Sequence, residues 1–230
     1  MRRVGSRYSG LAAIAVLWST LGTATVVSGF PLLGHRPLSW LVAYPSVSLL
    51  FGIGLATGAL LLTVFHGYLR ACYRASRSFS FAMLAGLSGQ VVAAVIPIDG
   101  GLVAQRIHTV AALTLGISLP VLMWRFVLAQ PPGPLRRVAK RLFWLEAAAG
   151  AMGVALSRRS VGPLAEILPA AVFHLWVATL TLRRPVGRSG ASAGQYRPVR
   201  AAQPVGLDDE EGGHHDENQT SAPRPDRAVA

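Results

Sequence analysis

Residues 95–113 read "VIPIDGGLVAQRIHTVAAL" and set Asp99, Arg106 and His108 between two long apolar runs. Asp99 precedes Gly100 and Gly101, which permit a tight turn. His108 opens the next apolar run, so a short loop is expected to hold Asp99 and His108 facing each other. Tyr44, from an earlier loop, and Glu166, at the start of the last apolar run, are expected at the same depth, with Arg106 nearby. Those five side chains suit a polar pocket between helices that takes a lipid head group or a small ligand. The alternative is structural: a capped loop with compensating charges.

Two further pairs follow from depth. Helices rise 1.5 Å per residue, which brings Arg125 and Glu146 to the same end of neighbouring spans. An ion pair is expected there, since a lone charge at that depth is costly. Gln90 and His174 both fall about ten residues into their spans. A bond between them would satisfy both; the functional alternative is a proton-relay or ligand position. "GLSG", Gly86 to Gly89, together with His174 is similar to the GxSG serine and last-helix histidine of rhomboid-type intramembrane proteases. Here the two helices are three spans apart rather than two, and Ser88 bonding its own helix backbone is the simpler reading. "HHDEN" in the tail has no flanking ligands to fix a metal geometry. No cofactor or metal site is expected.

The elements that carry these residues are apolar helices. The chain of 230 residues is 52% hydrophobic and 14% charged, well below the roughly 25% of soluble domains. A hydrocarbon core of about 30 Å needs roughly 20 helical residues. Six spans are expected, at about 10–30, 46–67, 79–98, 108–129, 142–157 and 164–182, forming an all-α transmembrane bundle behind a short N-terminus, 1–9. The first run is too long for a signal-peptide core and is read as a retained helix. Thirteen Lys and Arg border one face of this arrangement and four the other, which puts both termini in the cytoplasm of a plasma (inner) membrane. The same rule accounts for the net charge of +12, so no nucleic-acid partner is expected. Residues 183–230 hold seven Arg and seven acids with few large apolar side chains, and are read as a disordered cytoplasmic tail. Cys72 is the only cysteine, which excludes an intramolecular disulfide. Gly54 and Gly58, and Ala147 and Ala151, lie four apart. Such small faces favour close packing within the bundle and leave a homo-oligomer open.

Three stretches together carry a family likeness: "AYPSVSLLFGIGLATGALLL", "VIPIDGGLVAQRIHTVAAL" and "VGPLAEILPAAVFHLWVATL". Over about residues 10–182 the chain resembles domain-of-unknown-function family 998, bacterial membrane proteins similar in pattern to the six-helix Frag/DRAM/Sfk type. The likeness rests on Pro97 with Asp99 after the third span, His108 opening the fourth, and Trp176 in the last. Ile167, after Glu166, departs from it, since a basic residue is expected there. The resemblance implies a fold and a location and supplies no activity. The sequence thus points to a non-enzymatic membrane protein that binds membrane lipid or a membrane partner through the outer polar cluster. An intramembrane hydrolase and a small-solute transporter are the alternatives. A metal hydrolase needs converging ligands, whereas His35, His66, His108 and His174 are expected at different depths.

Overall fold

The computed structural model describes residues 2–158 and 161–183, with side chains from residue 6 onward. The expected tail beyond residue 183 lies outside the described residues. Six long helices follow one another: α1 (Arg2–Ser28), α2 (Ser48–Cys72), α3 (Arg77–Val95), α4 (Leu102–Ala129), α5 (Pro134–Arg158) and α6 (Gly162–Leu182). A short 3-10 helix, Leu38–Ala43, lies between α1 and α2. All the regular structure among the described residues is helical.

Local chemistry sets the boundaries. Gly29, at φ +65°, lets the chain leave α1 in a conformation that costs other residues more. The Ser76 hydroxyl accepts the Phe79 N–H at 3.1 Å and caps α3. Gly101, at φ +90°, turns the chain into α4. Pro134 opens α5 and Pro163 lies in the first turn of α6, positions where a missing N–H costs nothing.

Sequential helices pack antiparallel, and small residues mark where they touch. A Cβ on Gly54 or Gly58 would strike Thr20 or Leu17 of α1. The Gly54–Gly58 face therefore serves packing within the chain. Gly86 and Gly89 of α3 lie against Ser118 and Ala111 of α4. Trp124 of α4 meets Phe143 of α5 with ring centroids 4.8 Å apart. Gly153 of α5 lies against the Ala165 carbonyl of α6, and Gly10 of α1 against Val177 and Thr181 of α6. The last contact closes the bundle, first helix to last.

The larger core clusters aromatic rings: Phe65, Tyr68, Tyr73, Phe79, Phe126, Phe173 and Trp176, with Phe126 and Trp176 edge to face at 5.4 Å. A smaller core of Ala24, Phe30, Leu38, Leu41, Val42, Val47 and Phe51 sits beneath the 3-10 helix at the other end. Large apolar side chains also cover the outside, Val26 at 82% and Phe81 at 76% exposure among them. In water that would be a liability; against acyl chains it is the expected surface.

Among the described residues, five helices are long and apolar enough to cross a membrane: Ser6–Ser28, α2, α3, α4 and α6. Together with the composition they mark a membrane protein. The fifth expected span, 142–157, is the latter part of a longer helix. α5 begins at Pro134 and carries Arg136, Arg137, Lys140 and Arg141 in its first turns, so it falls outside that group of five.

Candidate functional site

The α3–α4 turn does not build the expected pocket. His108 is 1% exposed, and its Nδ1 lies 2.7 Å from the Ile96 carbonyl at the end of α3. A carbonyl only accepts, so Nδ1 carries the proton and donates. His108 Nε2 is buried without a partner. Asp99 is exposed and makes no bond to His108. The backbone carbonyl at the helix end competes for the imidazole and wins, because the ring lies inside the helix pair and Asp99 in the turn above it.

Glu166 and Tyr44 are used elsewhere. The Glu166 carboxylate accepts the Ser39 N–H at 3.2 Å, at the N-terminus of the 3-10 helix, whose first N–H groups have no helical partner. The Gly162 N–H donates to the Gly34 carbonyl at 3.1 Å, and a Cβ at Gly162 would meet backbone of residues 35–37. Glu166 thus fastens the α1–α2 loop onto the start of α6. Tyr44 packs edge to face on Phe30 at 5.8 Å. The expected cluster of Tyr44, Asp99, Arg106, His108 and Glu166 is therefore spread over separate structural tasks.

The expected intramembrane pairs are also absent. Glu146 is 2% exposed and its Oε2 has no hydrogen-bond partner, while Arg125 points outward and is exposed. Gln90 donates to the Leu55 carbonyl at 2.8 Å. His174 packs edge to face on Trp18 at 5.8 Å, its Nδ1 buried and unpartnered. Ser88 is exposed on α3, whereas His174 packs on Trp18 of α1 and makes no hydrogen bond to Ser88, so the rhomboid-like pair is not assembled. Among the described residues no three His, Cys, Asp or Glu side chains gather to hold a metal.

What remains near the turn is Arg106. It is exposed and has no hydrogen bond or ion pair among the described residues. It stands at one end of an open groove of about 500 Å3 between α3 and α4. Ala85, Ser88 and Val92 form one wall, and Ile107, Val110 and Thr114 the other. Gly89 and Ala111 lie at the bottom, where a Cβ on Gly89 would come within 2.6 Å of the Ala111 carbonyl. Small residues on α3 bring the helices together and leave the depression above them. The wall is apolar, with two hydroxyls and one guanidinium, and carries no carboxylate.

The opposite, arginine-rich end holds contacts that depth arithmetic missed. Arg7 donates through Nε to the Thr181 carbonyl and through Nη2 to the Leu182 carbonyl at 2.9 Å. Tyr73 donates to the Leu180 carbonyl at 3.2 Å. Burial, followed by the neighbouring Tyr68, pushes the Tyr73 phenol above its usual range, which keeps the proton on the donor. Three carbonyls in the last turn of α6 thereby gain side-chain donors, and a cation sits where the helix dipole favours one. His66 Nε2 and Ser80 Oγ lie 3.0 Å apart between α2 and α3. No family model, curated protein or solved structure matches the chain.

Proposed function

We propose that the chain is a non-enzymatic plasma-membrane protein of six crossings, with its N-terminus and the segment after α6 in the cytoplasm. We propose further that it holds a lipid between α3 and α4 at its outer face. The observation that carries the lipid reading is the open groove ending at the unpartnered Arg106. The sixth crossing is supported by α5, which touches α4 through Phe143 and α6 through Gly153. The 17 residues after Arg141 span about 26 Å, and Arg141 and Arg158, snorkelling at the two ends, let the helix reach across a core of about 30 Å with Arg136, Arg137 and Lys140 outside. The distribution of Lys and Arg supports the orientation. The likeness to domain-of-unknown-function family 998 belongs to the same reading and adds no activity.

Native mass spectrometry of protein purified in mild detergent tests it. A lipid adduct is expected on the wild type and is expected to be lost when Ser88→Phe fills the groove. Protein that carries no adduct even after lipid is added back overturns the reading. One observation favours a second, hydrolytic reading: the 3.0 Å His66–Ser80 contact has the spacing of a base and a nucleophile. No carboxylate is bonded to His66 to orient it, and an interhelical tie is the simpler role. Labelling of Ser80 by a fluorophosphonate probe would reverse that preference.

A further inference from the structure

Resting on that lipid reading, we infer that the occupant is an anionic phospholipid, its phosphate on Arg106 and one acyl chain along the α3–α4 groove.

Length, charge and floor all fit this ligand. From Arg106 to Thr114 the groove follows α4 for eight residues, about 12 Å. Half of a hydrocarbon core is about 15 Å. The groove thus begins at the guanidinium and stops short of the bilayer centre, the reach of a chain in one leaflet. A guanidinium offers a planar fork of donors that matches two phosphate oxygens. Arg106 has no partner among the described residues to surrender when a phosphate arrives. The lining holds no acid for the ammonium of a zwitterionic head group. Asp99, in the turn before α4, is exposed and does not line the groove. Gly89 and Ala85 keep the α3 wall low, so that a methylene chain can lie against both helices at once.

The experiment titrates delipidated protein in detergent with dioleoyl-phosphatidylglycerol or dioleoyl-phosphatidylcholine and reads apparent affinity by native mass spectrometry. The wild type is expected to prefer the glycerol lipid, and Arg106→Gln to bind it about tenfold more weakly, as loss of a charge-assisted contact implies. Binding of the choline lipid, already weaker because its ammonium finds no acid in the lining, should fall by less in that variant, since it loses the same phosphate contact from a lower starting affinity. Ser88→Phe, or Thr114→Phe if the former expresses poorly, should weaken both lipids. Arg125→Gln, an exposed arginine elsewhere on α4, should keep the wild-type preference. Equal wild-type affinity for the two lipids overturns the anionic assignment and leaves the lipid reading standing. Equal losses in Arg106→Gln and Arg125→Gln also overturn it, as unspecific charge attraction. Binding of neither lipid overturns both.

Discussion

His108 and Glu146 are both buried polar side chains, and their mutants should behave in opposite ways. The imidazole of His108 ties the start of α4 to the end of α3 through the Ile96 carbonyl. Removing it leaves that carbonyl unsatisfied, and His108→Ala is expected to cost about 1–3 kcal/mol. Asp99→Asn, at an exposed turn, should stay within about 0.5 kcal/mol, and the double variant should be the sum of the two. Thermal unfolding in detergent reads all three; a strongly non-additive double variant would restore the facing pair. Glu146 meets no donor on the seam of α5. Burying an unpaired acid is costly whether it is ionised or neutral. Glu146→Met, of similar length, is therefore expected to raise the melting temperature, and a clear fall would mean that the carboxyl has a partner. The sequence made the depth of such residues legible but not the side of the helix they face. Each residue turns the helix by about 100°. Gln90 and His174 are both far into their spans, yet one faces α2 and the other α1. Spans that are apolar all round carry no stripe from which that angle can be read.

The existence of five of the helices was legible because a run of about 20 apolar residues has few other meanings, and the fifth in order showed as a shorter run, 142–157, between basic residues. The ends were less so. Hydropathy marks where a helix enters lipid, whereas capping and proline mark where it stops. α5 therefore starts at Pro134, ahead of its apolar stretch, and α1 reaches back to Arg2. The 3-10 helix escaped notice because six residues give no period to detect. Its dependence on Glu166 was equally hidden, since nothing local links residues 39 and 166. Contact between α5 and α6 yields a sharp test. Pro169 has no N–H to offer the Ala165 carbonyl, and Gly153 fits its backbone directly against that oxygen. Gly153→Ala would force a Cβ to 2.6 Å from it and should destabilise by about 1–3 kcal/mol. Gly150→Ala, one turn earlier and in open space, should be neutral or stabilise by up to about 1 kcal/mol. If the two variants melt alike, the helices do not meet at Gly153.

The six described helices form a closed circuit of contacts, which α1 completes against α6. If all six cross, reporter fusions after Gly34, Arg74, Gly101, Arg137 and Ser160 should alternate, beginning outside, and a fusion after Arg188 should lie inside. Fusions after Arg137 and Ser160 on one side would make α5 a surface helix and reduce the crossings to five. The ring also sets a timetable. α1 leaves the ribosome before the other five described helices, yet Arg7 finds its acceptors only at the carbonyls of Thr181 and Leu182, in the last turn of α6. Until then its guanidinium must wait in the water and head groups at the membrane edge, and the early helices can form only a partial, open sheaf. Assembly therefore waits for α6: a chain stalled before it emerges holds α1 only against α2, without the contacts of Gly10 and Arg7 that close the circuit.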